Sequence, residues 1–387
     1  MGTHRGGDRG WRGDPDPGAR RRQRSVSIPA TAKETGPRPP ESDSDSSWSA
    51  NARAALNASD AKLAKRFDQG DEVDRLVALR ARTADHLLKE AWARCIPADA
   101  PLALFAVGGY GRAELFPQSD IDLLVLADSE AQQAQHAALS CFFAMLWDAG
   151  LPVSQAVRSP AQCSEAAADQ TVLTALIEWR ALVADEAAQT ALVDAISPQQ
   201  VWPPRDFFVA KREELRLRHA RFGDTSENLE PNIKDGPGGL RDLHTLGWMA
   251  LRTFGVRELE PLIGLSHVGP DEAAALARER RALGRLRYGL HLVAGRPEER
   301  LRFDYQKTLA ERLGFADDEE TLGVEKMMQG FYRSAAIVRR VSDRLLQRFE
   351  EQFDGEALPE PLDDSFALRR GYLAARDPAW PQTDASQ

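Results

Sequence analysis

Two acidic residues, Asp120 and Asp122, stand two positions apart at the start of an apolar run from Ile121 to Leu126. Successive side chains of a strand point to opposite faces, so residues at i and i+2 project from the same face. Two carboxylates that lie this close repel each other unless a cation sits between them. Hard oxygen ligands of this kind suit Mg²⁺ that also contacts phosphate oxygens. The pair therefore predicts a metal-binding strand end.

A glycine turn precedes the acidic pair. The run from Leu102 to Val107 has the length of a buried strand, and Gly108, Gly109 and Gly111 follow it. Glycine allows a sharp turn and a close backbone approach to a ligand, and the free N–H groups of a helix that begins there can hold phosphate oxygens. Ser119 either donates a hydrogen bond to phosphate or caps the turn. The glycine spacing does not match the dinucleotide-binding fingerprint, and the acids follow too soon for it.

A second stretch with chemical potential runs from Asn228 to His244. Gly238 and the glycine after it allow the backbone to approach a ligand closely, and Lys234 and Arg241 bracket them with positive charge. The alternative is an ordinary connection in a helix bundle that carries surface charges. The chemistry of these residues leaves both interpretations open. Arg112, after the glycine turn, is a weaker candidate for a phosphate-neutralising cation.

The elements that position these residues follow from hydrophobic periodicity. A third strand is expected at 151–158, and helices are expected at 60–94, 130–147, 169–185, 206–222 and 321–353. The predicted organisation is a disordered tail (1–58), an N-terminal helical segment (59–97), a core domain (98–200), a helical domain (201–353) and a C-terminal tail (354–387). The order of glycine turn, Ser-Asp-x-Asp and apolar strand predicts an α+β nucleotidyltransferase fold, a small mixed sheet with helices. An all-α helical-bundle domain is expected to follow it.

The overall composition narrows the class of protein. The chain has 387 residues and a formal net charge of −9, which argues against a general nucleic-acid binder. Its three cysteines are too few and too scattered for a disulfide framework or a zinc site, which suits a reducing cytosol. No apolar run reaches the length of a membrane span, and the N-terminus lacks the apolar region of a secretory signal. We expect a cytoplasmic protein with no membrane or nucleic-acid partner.

Two motifs resemble one known family. They are Gly-Gly-Tyr-Gly-Arg-Ala-Glu-Leu-Phe-Pro-Gln-Ser-Asp-Ile-Asp-Leu-Leu, at 108–124, and Glu-Pro-Asn-Ile-Lys-Asp-Gly-Pro-Gly-Gly-Leu-Arg-Asp-Leu, at 230–243. Both are similar to the protein-PII uridylyltransferases, the bifunctional uridylyltransferase and uridylyl-removing enzymes of bacterial nitrogen control. Residues 302–306 and 324–333 add support, and the likeness covers roughly residues 65–376. A weaker likeness exists to glutamine synthetase adenylyltransferases.

The resemblance implies a reaction and roles for the candidate residues. UTP would be the donor, a tyrosine hydroxyl of the PII signal protein the acceptor, and pyrophosphate the leaving group. Asp120 and Asp122 would hold two Mg²⁺ ions. The remaining candidates would bind the nucleotide. Backbone amides would hold the outer phosphates, cationic side chains would neutralise the phosphate charge, and the second loop would close over the triphosphate from the helical domain. These candidates are Gly108, Gly109, Arg112, Ser119, Lys234, Gly238 and Arg241.

The chain departs from the family in three respects. No His-Asp dipeptide occurs in the sequence, and it ends before the phosphohydrolase and ACT domains of family members. We therefore expect this chain neither to remove uridylyl groups nor to respond directly to glutamine. The third strand reads Ser154-Gln155-Ala156, where nucleotidyltransferases of this fold commonly place a third carboxylate. The alternatives are an adenylyltransferase that acts on another protein and a truncated, non-catalytic remnant that binds PII or nucleotide.

Overall fold

The computed structural model describes residues 43–225, 227–257, 261–264, 267–354, 360–369 and 372–376. It begins with two long helices that pack on each other, α1 (Asp43–Asp68) and α2 (Val73–Cys95). The predicted tail was wrong beyond residue 42, because a helix already occupies its last part. Trp48, Ala52 and Leu56 recur at four-residue steps and are buried. So narrow a stripe is easily missed in a polar segment.

A four-stranded mixed sheet forms the centre of the next region. Its spatial order is β3-β2-β1-β4; β2 and β3 run parallel, whereas β1 runs antiparallel to both of its neighbours. The strands are β1 (Ala103–Ala106), β2 (Ile121–Leu126), β3 (Val153–Arg158) and β4 (Arg180–Val183). A small mixed sheet with helices confirms the predicted fold class.

The strand β4 corrects one prediction. We expected a continuous helix from Asp169 to Asp185, but α7 (Gln170–Ile177) ends and the chain enters β4. The helical periodicity of α7 led us to extend the predicted helix too far, because no glycine or proline marks the boundary between α7 and the four-residue strand that follows. Pairing with β1 decides its conformation, and Leu182 is buried there.

Short helices connect these strands. The single helix predicted at 130–147 is two helices that break at Gln135, where ψ is 14°. The inward side chains predicted for that segment are buried, from Leu139 to Leu146. The connecting helices are α3 (Gly108–Gly111), α4 (Ser129–Ala134), α5 (His136–Asp148), α6 (Pro160–Ala166) and α8 (Glu186–Ala195).

Helices follow the sheet up to residue 354, as predicted. The apolar stripe on the last helix is buried, including Phe331, Val338 and Phe349, so it packs the bundle. The helices are α9 (Pro204–Arg221), α10 (Leu240–Phe254), α11 (Pro261–Gly264), α12 (Pro270–Ala294), α13 (Phe303–Arg312) and α14 (Gly323–Asp354). Within the ranges that the structure describes, no helix is long and apolar enough to cross a membrane.

Part of the expected C-terminal tail is folded. It forms a small antiparallel sheet from β5 (Glu360–Pro361), β6 (Phe366–Arg369) and β7 (Tyr372–Ala375). The pairing of β6 with β7 provides backbone hydrogen bonds that composition alone did not predict. Residues 377–387 of the predicted tail lie outside the described residues.

The central sheet lies between two apolar clusters. On β2, Leu123 and Val125 face the cluster that contains α2 and α5, whereas Leu124 and Leu126 face the cluster that continues into α10 and α14. Because strand side chains alternate, Asp122 shares its face with Leu124. Asp122 therefore points toward the helical region, which shares one continuous core with the sheet.

Candidate active site

The acidic pair lies against the glycine turn. Asp120 is exposed and Asp122 is half-buried at the start of β2. A Cβ placed on Gly108 would lie 3.4 Å from Asp122 Oδ2, and φ of Gly108 is +59°. A side chain there would be strained and would crowd the carboxylate. Among the described residues, the Gly108 and Gly109 amides have no hydrogen-bond acceptor.

The two carboxylates resist ionisation in the absence of a cation. Burial raises the pKa of Asp122 to about 7, and the charge of Asp120 adds to this effect. Lys234, the Ser154 hydroxyl and Arg112 oppose it. Burial also raises the pKa of Asp120, again opposed by Lys234. Like charges that face each other in a partly buried place favour a bound cation.

Lys234 faces this pair from the helical region. Its ammonium is close enough to lower the pKa of both carboxyls. Burial, followed by the charge of Arg287, lowers the pKa of Lys234 itself to about 8. Two segments more than a hundred residues apart thus lie close enough for their charges to interact, the acids at β2 and the ammonium from the helical region.

The loop that carries Lys234 is fixed by packing. Gly238 has φ +74°, and a Cβ there would lie 2.2 Å from the Ala335 carbonyl oxygen on α14. Its amide donates to Asp242 Oδ2 at 2.7 Å. The Gly238 backbone packs against α14, a contact that spacing along the chain does not reveal. Its approach to a ligand stays a prediction.

Asp242 is the residue of this loop whose importance the sequence did not reveal. Its carboxylate is buried and accepts hydrogen bonds from Arg218 at 2.8 Å and from the Gly238 amide. His219 Nε2 lies 3.0 Å from Asp242 Oδ1. Despite the opposing effect of burial, the hydrogen bond with His219 and the charge of Arg218 lower the pKa of Asp242. Only the long-range contacts with α9 identify it as an anchor.

Arg112 joins the sheet to the helical region. Its guanidinium lies 2.9 Å from Glu114 Oε2, donates to Glu178, and lies 3.2 Å from His244 Nε2 on α10. Burial opposes the charge of Arg112, but the two carboxylates outweigh it and raise its pKa. Burial and the charge of Arg112 lower the pKa of His244 to about 3, so this imidazole stays neutral. Arg112 is therefore engaged in a structural network.

Arg241 lies near Lys234, and Ser119 immediately precedes Asp120. Arg241 Nε donates to Asp235 Oδ1 at 3.3 Å, and its guanidinium lies over the ring of Trp248. Arg241 also contributes to the lowered pKa of Lys234, so the two cations are neighbours. The Ser119 amide donates to the Phe116 carbonyl at 3.0 Å and turns the chain toward Asp120.

The donor set for a metal is small. The parallel register places Ser154 beside Asp122, so a hydroxyl occupies the nearest position on β3. In the part of the chain that the structure describes, no group of three or more His, Cys, Asp or Glu side chains could hold a metal ion. Asp120 and Asp122 fit Mg²⁺ only if phosphate oxygens complete its coordination, as is usual for this ion.

Comparison with known proteins bears directly on these two regions. The model of the GlnD PII-uridylyltransferase family matches residues 206–346, and that of the DUF294 nucleotidyltransferase family matches residues 58–163. Residues 206–346 are therefore similar to the PII-uridylyltransferases, and residues 58–163 to a nucleotidyltransferase family. The PII-uridylyltransferase match contains Lys234, and the nucleotidyltransferase match contains Asp120 and Asp122.

Individual relatives agree with the PII-uridylyltransferase similarity. The bifunctional uridylyltransferase/uridylyl-removing enzymes of Xanthomonas euvesicatoria and Xanthomonas axonopodis are each 72% identical to this chain over 340 residues. The enzyme of the same name from Stutzerimonas stutzeri is 43% identical over 332 residues. These alignments cover 88%, 88% and 84% of this chain but 39%, 39% and 37% of the respective relatives. The chain thus spans about two fifths of their length.

Proposed function

We propose that this chain transfers a uridylyl group from UTP to a tyrosine hydroxyl of a PII signal protein and releases pyrophosphate. The observation that carries the proposal is that Asp122 lies against the Gly108 turn while the Lys234 ammonium is close enough to Asp120 and Asp122 to lower the pKa of both carboxyls. Acids beside a glycine turn, with an ammonium opposite, suit a metal-bound triphosphate. The similarity of residues 206–346 to the PII-uridylyltransferase family supports UTP as donor and PII as acceptor.

The reaction exchanges one phosphorus–oxygen bond for another. The tyrosine oxygen bonds to the α-phosphorus of UTP, the bond to the β-phosphate oxygen breaks, and the hydroxyl proton passes to water. Asp120 and Asp122 would hold two Mg²⁺ ions, whose chemistry when bound is activation of the hydroxyl and neutralisation of pyrophosphate charge. The Gly108 and Gly109 amides would donate to the outer phosphates, with Ser119 at the edge. Lys234 and Arg241 would neutralise charge that develops on them.

In this proposal some residues contact the phosphates themselves, whereas others only hold those residues in place. Lys234 is the cation that faces the carboxylates, so it is the principal phosphate ligand in this proposal. Arg241 is paired with Asp235 and supports Lys234 from beside it. Arg112 is paired with Glu114 and Glu178, so it would act by holding the turn after Gly109 in place. Gly238 would do the same for the loop that carries Lys234.

A second candidate function is binding of PII or nucleotide without turnover. The observation in its favour is Ser154, which stands beside Asp122 where this fold commonly carries a third carboxylate. In the favoured proposal, the two acids and the substrate phosphates suffice to hold the metal.

Transfer of label from UTP to purified PII separates these proposals. With Mg²⁺ and [α-³²P]UTP, we expect labelled PII, and we expect far less label from [α-³²P]ATP. Preferential labelling by ATP would indicate an adenylyltransferase. Retention of UTP on the protein without labelled PII would favour the non-catalytic role. The Asp122→Asn variant is the matched control, because it removes one charge at nearly constant shape.

A further inference from the structure

Lys234 is held by an acid that lies far from it in sequence. Its ammonium lies 3.8 Å from Glu299 Oε1. The amide of the preceding residue, Ile233, donates to the Glu299 carbonyl at 2.8 Å, and a β-bridge between Asn232 and Arg300 flanks this contact. Glu299 therefore restrains both the backbone that leads into Lys234 and the end of its side chain.

The Glu299 carboxylate is itself fixed. Arg287 Nε lies 2.9 Å from Glu299 Oε2, and Arg287 Nη2 lies 2.5 Å from Oε1. This two-pronged pairing fixes orientation as well as distance. The Arg287 guanidinium lies 4.3 Å from the centre of the Phe116 ring, and the fully buried ring of His291 lies 3.8 Å from Glu299 Oε1. A chain of contacts thus runs from α12 through Glu299 to Lys234.

Charged and titratable groups face Lys234 from each element packed around it. They are Arg287 and His291 on α12, Arg241 on α10, Asp235 in its own loop, Glu299 before α13, and Asp120 and Asp122 on β2. Burial and the two arginines lower the pKa of Lys234, and Glu299 opposes them more strongly than Asp235 does. Glu299 therefore both locates the ammonium and favours its charged form.

We propose that Glu299 is a positioning residue that directs the Lys234 ammonium toward the triphosphate of the bound nucleotide. This proposal rests on the proposed function, and it concerns a side chain that acts only through Lys234.

A double-mutant cycle tests this role, because coupled residues deviate from additivity. The four proteins are wild type, Glu299→Gln, Lys234→Ala and the double variant, with kcat and KM for UTP measured on each. We expect Glu299→Gln to lower kcat/KM by roughly 10–100-fold, as is typical for residues that orient a ligand-binding group. In the Lys234→Ala background, the same change should cost less than about twofold.

Two further variants separate positioning from stability. Glu299→Asp keeps the charge and should recover part of the lost rate. Glu272 provides a control, since its carboxylate is similarly buried and pairs with Arg344 and Arg348 on α14, remote from Lys234. Glu272→Gln should lower the melting temperature without a selective loss of kcat/KM. If Glu299→Gln lowers rate and melting temperature together, equally with and without Lys234, the positioning role is refuted.

The cycle remains informative if the proposed function fails. A wild-type protein that transfers no label from UTP to PII would reject the uridylyltransferase proposal by itself. Binding of inorganic triphosphate in Mg²⁺, measured by calorimetry, then replaces the rate. Glu299→Gln should weaken this binding only when Lys234 is present. Equal weakening in both backgrounds, or no binding by wild type, would overturn the positioning role.

Discussion

The two sides of the candidate site are built in different ways. The acidic side is made by neighbours in sequence, since Asp120 and Asp122 stand two positions apart and Asp122 lies against a turn that begins at Gly108. The basic side depends on remote residues, because Asp242 ties the loop to α9 and Glu299 supports Lys234. Substitutions should therefore leave the fold intact on the acidic side, whereas on the basic side they should affect both chemistry and the integrity of the fold.

The largest effect is expected on the acidic side. Asp120→Asn or Asp122→Asn removes a negative charge that the metal requires, so uridylyl transfer should fall by at least roughly 10³-fold, at or beyond the upper end for loss of one oriented electrostatic partner. Label transfer to PII measures the rate, and thermal unfolding should show an intact fold. Near-normal activity in either variant would contradict the metal-ligand assignment.

The next effect concerns stability on the basic side. Asp242→Asn leaves Arg218 and His219 buried without their carboxylate, and breaking a buried pair in this way costs about 3–5 kcal/mol. We expect a marked fall in the free energy of unfolding, measured by urea denaturation. Glu213→Gln is a suitable control, because Glu213 also pairs with an arginine on α9 but is exposed, and its loss should have little effect. Similar losses in both variants would argue against the anchor.

The two cations of the loop should differ from each other. Lys234→Ala should lower kcat by roughly 10²–10³-fold, because it removes the charge that faces the carboxylates. Arg241→Ala should cost about tenfold, because Arg241 is partly exposed and already paired with Asp235. Steady-state kinetics with UTP, alongside melting temperatures, measure both. The reverse order of losses would show that Arg241 is the principal phosphate ligand.

A last contrast concerns the dependence of stability on pH in the absence of metal. The fold raises the pKa of Asp122 from 3.8 to about 7, so ionisation of this carboxyl destabilises the folded state increasingly between these values and fully above the upper one. In metal-free buffer, Asp122→Asn should melt above wild type at about pH 8, and the difference should shrink toward about pH 4. Scanning calorimetry across this range measures it, and a constant difference would contradict the raised pKa.

The same contrast explains what the sequence could predict. The strand β2 and the glycine turn before it depend on local spacing, and both appear in the structure. The shared face of Asp120 and Asp122 stays a prediction. The strand β4 was missed because pairing with β1 decides its conformation. The helix α1 was missed because few of its residues are buried.

Contacts between residues distant in sequence show which candidate residues are paired with other parts of the protein. Gly238 and Arg112 have the residue types of ligand-binding positions. Gly238 nevertheless packs against the backbone of Ala335, and Arg112 is paired with Glu114 and Glu178. Neither contact follows from spacing along the chain, so the sequence could nominate these residues but could not assign their neighbours.

The bridge between Asn232 and Arg300 also bears on the order in which the molecule folds. Nearby hydrogen bonds join Glu230 to Phe303 and Leu229 to Gln306, which are 73 and 77 positions apart. Closing a loop of that length costs more conformational entropy than closing the short turn between β1 and β2, and contacts distant in sequence tend to form slowly. The acidic side can thus assemble as a hairpin early in folding, whereas Lys234 reaches its place only after α12 has docked. Capacity to hold a triphosphate would then be among the last properties acquired by the folding chain.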